Sequence, residues 1–122
     1  MMIEVAMLLG SVSAPDFLTA SERWECKFKG FHTEETVTSY FGAYRTHVED
    51  EFGSNSTVVQ NDSDALVFVC SDIGNTDITG ATRKWVRVDI IDKTTKRFKR
   101  SIVDVKTPVG ITDETVGICN RY

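Results

Sequence analysis

Trp85 stands between Arg83 and Arg87, and Ile91, Arg97, Phe98 and Arg100 follow within one short reach of chain. Aromatic rings next to guanidinium groups dominate binding hot spots, because both offer broad contact area with directed polarity. The chemistry open to this group is recognition. A second group, Glu49, Asp50 and Glu51, puts three carboxylates in a row. Carboxylates so placed can imitate phosphates and occupy the basic groove of a nucleic-acid-processing enzyme. A nucleophile is harder to find. Cys26 could be paired with His32 or His47, but it alternates with Trp24 and Phe28 on an apolar side, where a thiol stays protonated and inert.

Motifs for other chemistry are missing. The sequence has no Gly-rich phosphate loop, HExxH, GxSxG or EF-hand spacing. The stretch Asp72 to Thr79 offers oxygens but lacks the alternating acids and final Glu of a calcium loop. Three cysteines, an odd number without a CxxC pair, and two histidines suit neither a zinc site nor a disulfide framework. Cys26, Cys70 and Cys119 read as reduced, buried thiols of a cytoplasmic protein. The expectation is a non-enzymatic chain with no catalytic residue, metal or cofactor.

Composition sets the scale. The 122 residues, 41% hydrophobic and 26% charged with twelve aromatics, suit a single domain spanning 1–122 with a core of its own. The net charge of −4 does not favour a phosphate backbone, but the charge is unevenly spread. Residues 1–82 hold 4 Lys or Arg against 13 Asp or Glu, and residues 83–106 hold 9 against 3. The basic segment, with Lys93, Lys96 and Lys99 among its charges, could enter a nucleic-acid groove or simply block edge pairing. At the N-terminus, Met1 to Ala14 ends in a Val-Ser-Ala that imitates a signal-peptidase site. It has no basic residue before its apolar run, and Glu4 interrupts it. No stretch approaches the length needed for a spanning helix, so no membrane association is expected.

The elements that must position these groups follow from periodicity. Ser21 to Lys29 alternates as a half-buried strand. Val37, Tyr40, Phe41, Tyr44, Val48 and Phe52 recur at the spacing of one helical face, which predicts a helix from about Glu34 to Phe52 with Thr33 as its cap and Gly53 at its stop. Ser56–Asn61 and Ala65–Cys70 read as a hairpin, and the second run, apolar on both sides, as a central strand covered by that helix. Residues 71–82 read as a loop. Lys84–Asp92 and Arg97–Lys106 form a hairpin in which Ile91 meets Phe98, Asp89 meets Arg100 and Val86 meets Val103. That register predicts a charged outer face carrying Trp85 and an aliphatic inner face. Thr115–Cys119 reads as a short edge strand, and Ile3–Leu9 fits a strand or a helical turn equally.

The resulting plan is α+β, an antiparallel sheet of five or six strands packed on one long helix. In layout only, it resembles the cystatin-like and hot-dog folds. Three functions compete. The first is a small acidic protein-binding domain that occludes a macromolecule, of the type of phage-encoded anti-CRISPR or DNA-mimic inhibitors. Its contacts would be Trp85, Arg87, Ile91, Arg97, Phe98 and Arg100, or Glu49, Asp50 and Glu51, and a homodimer could cover the same face. The second is a ligand pocket or hot-dog-type thioesterase site between helix and sheet, near Tyr40, Tyr44 and Phe68. The third is nucleic-acid binding through the hairpin 83–106.

Overall fold

The computed structural model describes residues 14–31, 33–76, 82–104 and 111–122. The signal-like start, Ile3–Leu9, His32 and Lys106 lie outside them. Eight strands run in chain order: β1 (Glu22–Lys29), β2 (Thr36–Ala43), β3 (His47–Asp50), β4 (Asn55–Asn61), β5 (Ala65–Thr76), β6 (Thr82–Asp92), β7 (Arg97–Asp104) and β8 (Ile111–Arg121). Each pairs antiparallel with the next, and β8 returns to β1, so the sheet closes into an up-and-down barrel. The described residues contain no helix, and so none long and apolar enough to cross a membrane.

The α+β expectation is therefore overturned, and the reason lies in Glu34–Phe52. This segment is two strands and two turns. Thr36, Val37 and Thr38 lose side-chain freedom in a helix and gain fit in a strand, and Gly42 would weaken a helix at its centre. In β2 the inward residues are Ser39, Phe41 and Ala43, all buried, while Tyr40 points outward beside Glu25. Thr33 Oγ1 does accept a hydrogen bond from the Glu35 amide, at 3.1 Å, but it does so in the turn between β1 and β2. Gly53, at φ +81°, shapes the β3–β4 turn instead of ending a helix.

Other strands extend beyond their expected limits. β5 continues to Thr76 through residues read as a loop, with a bulge between Ile73 and Asn75. β8 is eleven residues long and has no free edge, because β7 and β1 flank it. Asp side chains organise three of the turns. Asp62 Oδ1 accepts from the amides of Asp64 and Ala65, Asp92 Oδ1 from those of Thr94 and Thr95, and Asp50 Oδ1 from those of Phe52 and Ser54. These amides hold Asp62 and Asp92 below the usual carboxylate range.

The core fills one half of the barrel. Trp24, Cys26, Phe28, Phe41, Ala43, Val48, Leu66, Phe68, Ile91, Phe98 and Cys119 form one buried cluster, each contributed by the inward side of its strand. Cys26 and Cys119 face each other across the β1–β8 seam and form a disulfide, which corrects the expectation of reduced thiols. Two cysteines too far apart in sequence to suggest a pair become direct neighbours only when the sheet closes. Cys70 is the free cysteine.

Candidate functional site

Strand alternation decides what the interior contains. Along β6 the inward side chains are Trp85, Arg87, Asp89 and Ile91, and along β7 they are Phe98, Arg100, Ile102 and Asp104. The expected pairs Ile91–Phe98, Asp89–Arg100 and Val86–Val103 are all present in the register. The faces are reversed: the charged side points into the barrel, and Val86, Val88 and Ile90 point out. Leu66 and Phe68 of β5 share the inward side with Ile91 and Asp89, and the rings of β1 and β2 complete that side.

Seen from the β4–β5 and β6–β7 turns, the barrel is plugged. Trp24 Nε1 donates to Glu22 Oε1 at 2.9 Å, and Lys93 Nζ donates to Glu22 Oε2 at 2.7 Å and to Asn61 Oδ1 at 2.6 Å. Burial raises the Glu22 pKa, but the Lys93 and Trp24 hydrogen bonds outweigh it and leave the carboxyl below its ordinary value. Lys96 and Arg121 lie over the Trp24 ring at 5.1 and 5.4 Å from its centroid. Behind this plug the phenylalanines pack against one another at tilted angles, with Phe28–Phe98 centroids at 4.8 Å and Phe41–Phe68 at 5.1 Å.

A charged layer ends the apolar half. Arg100 rests on the rings of Phe28, Phe98 and Phe41, at 4.9, 5.6 and 6.0 Å. Its Nε and Nη2 donate to Asp89 Oδ1 and Oδ2 at 2.6 and 3.3 Å. Arg87 completes the layer from the same side as Asp89. Its Nε is 3.0 Å from Asp89 Oδ2, close enough for an ion pair but not aligned for a hydrogen bond, and its Nη2 donates to Ser56 Oγ at 3.3 Å. Ser39, Ser56 and Thr115 supply buried hydroxyls at this level, and the Thr115 hydroxyl donates to the Lys29 carbonyl. Glu51, whose Oε2 accepts from the Tyr40 amide at 2.5 Å, lies within electrostatic reach of Arg100. Burial, then the neighbouring Asp50, pushes the Glu51 carboxyl up.

Beyond this layer the described inward side chains are no longer fully buried. Ile91, Asp89 and Phe98 are 0–1% exposed, whereas Arg87, Trp85, Cys70 and Ile102, further along the same inward sides, are partly exposed. Trp85, Cys70 and Ile102 surround Arg87 by register. The arrangement sets charged groups next to the less polar side chains of Trp85, Cys70 and Ile102. It offers no nucleophile with an adjacent base, and no group of three or more His, Cys, Asp or Glu among the described residues could hold a metal ion.

The structure thus brings together Trp85, Arg87 and Arg100, and seals Ile91 and Phe98 in the core. Arg97 points outward and is exposed. Glu49 pairs with Gly42 on the outward side, and Asp50 serves a turn. Tyr40 and Tyr44 lie outside the barrel, where Tyr44 stacks on His47 at 4.7 Å, so no pocket joins them to Phe68. The basic segment is dispersed: Arg87 and Arg100 point in, Lys93 belongs to the plug, and Lys99 pairs with Glu114 at 3.5 Å. Asp89, Ser56 and Cys70 were not among the sequence candidates. An acid in phase with Trp85, Arg87 and Ile91 was the available signal for Asp89. No protein-family model matches the chain, and no curated protein or solved structure matches it.

Proposed function

We propose that the chain is a non-enzymatic binding protein that takes a small, partly apolar ligand into the open half of its barrel. Eight-stranded barrels have an interior that is either filled by side chains or holds one small ligand. The observation that carries the reading is the exposure gradient along the inward side chains, from fully buried Ile91 and Asp89 to partly exposed Arg87 and Trp85. The inward placement also withdraws Ile91 and Phe98 from contact with any macromolecule. The outward side of β1 carries Arg23, Glu25, Lys27 and Lys29, which would be costly against lipid. The Cys26–Cys119 bridge favours an oxidising compartment over the cytoplasm.

The test is a titration with anilinonaphthalene sulfonate, read by probe fluorescence and by Trp85 emission in a Trp24→Phe background. Saturable one-to-one binding that changes Trp85 emission, and that Cys70→Phe abolishes by filling the interior, supports the reading. Binding that Cys70→Phe leaves intact, or no saturable binding, overturns it.

A further inference from the structure

We infer that the ligand carries an anionic head group, a carboxylate, and that Arg87 is the residue that holds it; this rests on the reading of the interior as a ligand site. The charged layer is unbalanced, with two guanidinium groups sharing the single carboxylate of Asp89. They do not share it equally. Arg100 is committed, since two of its nitrogens donate to Asp89 and its guanidinium carbon lies within 4.9–6.0 Å of three phenylalanine ring centres. Arg87 is held less tightly: its Nε, 3.0 Å from Asp89 Oδ2, is not aligned for a hydrogen bond, and among the described residues its side chain donates to Ser56 at a long 3.3 Å. A guanidinium has five N–H donors fixed in a plane that matches a carboxylate.

Position agrees with chemistry. Arg87 lies one inward position beyond the Asp89–Arg100 pair along β6, its side chain 16% exposed against 14% for Arg100, so its place on the strand and not its exposure puts it ahead of Asp89 and Arg100 for an anion entering from that end. Partial burial of the guanidinium strengthens that attraction relative to bulk water. Trp85 precedes Arg87 by two residues on the same strand, about 7 Å away. Together with Ile102 and Cys70 it offers wall for one aromatic ring or a few carbons. The opposing influences are Glu51, on the β3–β4 turn facing Arg100, and Asp104 and Asp113 on the inward side nearer the rim. They would favour a cation, and the experiment sets the two against each other.

Calorimetric titration of the intact protein with phenylpropionate, phenylpropanol and phenylpropylamine varies the head group on a constant body. The acid is expected to bind at least about tenfold more tightly than the alcohol, the scale of one charge-assisted hydrogen-bonded pair. Arg87→Met is expected to erase that preference while leaving the alcohol's affinity within about twofold, and Arg87→Lys to retain part of it. The wild-type ranking stands even where a variant does not fold. Equal affinity for acid and alcohol, or tighter binding of the amine, overturns the anionic head group and leaves the binding interior standing. Failure of all three to bind overturns it too, and the anilinonaphthalene sulfonate titration then decides the broader reading by itself.

Discussion

Asp89 and Arg100 stand directly opposite each other on β6 and β7, and both point into the barrel, where Asp89 is wholly inaccessible to solvent. Its carboxylate is the shared anion for two arginines. Removing it takes from both guanidinium groups the carboxylate they are paired with, so Asp89→Ala is expected to lower the unfolding free energy by about 3–5 kcal/mol. The combined change Asp89→Leu with Arg100→Met replaces the committed pair by apolar volume and should recover much of that loss. Urea unfolding of the three proteins checks this. A double variant as unstable as Asp89→Ala would show that packing, not unpaired charge, sets the cost.

The Cys26–Cys119 bridge joins residues separated by 93 positions. Cross-linking so long a loop restricts the unfolded chain and stabilises the fold by about 4.6 kcal/mol in the chain-entropy picture. Thermal melts with and without a strong reductant should differ by well over ten degrees. Thiol titration of the unfolded, unreduced protein should find one reactive group, Cys70.

Acid should attack the plugged end. The folded-state pKa of Glu22 is below its ordinary value of 4.5, so its contribution is present above that value and is lost as pH falls through the lower, folded one. With its side chain only 13% exposed, Glu22→Gln is expected to cost about 2 kcal/mol at pH 7, the scale of hydrogen bonds to a charged group. That difference should vanish at low pH. Denaturation curves between neutral and strongly acidic pH read both halves of the expectation.

Glu51 has the opposite sign. Its raised pKa means that the contribution to stability is complete below the ordinary carboxylate value and is lost as pH rises through the folded one. Glu51→Gln keeps an oxygen for the Tyr40 amide and removes the charge. The variant should be at least as stable as wild type at pH 7 and vary less with pH across the carboxylate range. A variant clearly less stable at pH 7 would mean that attraction to Arg100 outweighs desolvation.

Gly117 lies where β8 runs close against β1, and a Cβ there would come within 2.1 Å of the Lys27 carbonyl oxygen and 2.6 Å of Phe28 Cβ. Backbone atoms cannot yield cheaply. Gly117→Ala should destabilise by about 3 kcal/mol or more, at the severe end for one substitution, as equilibrium unfolding would show.

The segment 34–52 shows why the helix was the natural reading of the sequence. Its inward residues in β2 include small Ser39 and Ala43, while aromatic Tyr40 and Tyr44 lie outside, so the alternation of a strand is hidden and a helical spacing emerges by coincidence. The β6–β7 hairpin is the reverse case. Its register was legible from opposite charges and matched apolar pairs, because these are local properties of two adjoining strands. Its facing was not, because both sides are part apolar and the choice depends on Phe28, Phe41 and Phe68 arriving from distant strands. The candidate residues show the same thing: Trp85, Arg87 and Arg100 share one face, as alternation expects, but that face is the inner one, and Arg97 lies on the other.

The bridge between the first and last strands also changes how the molecule carries load. Tyr122 hydrogen-bonds to Arg23 through its amide, so the two ends of the barrel meet at one seam. Tension applied at Glu22 and Tyr122 passes through the Cys26–Cys119 bond and bypasses the chain between them. Mechanically residues 26–119 are a closed loop, and the six strands β2–β7 within it cannot be unzipped by pulling on Glu22 and Tyr122 while that bond is intact.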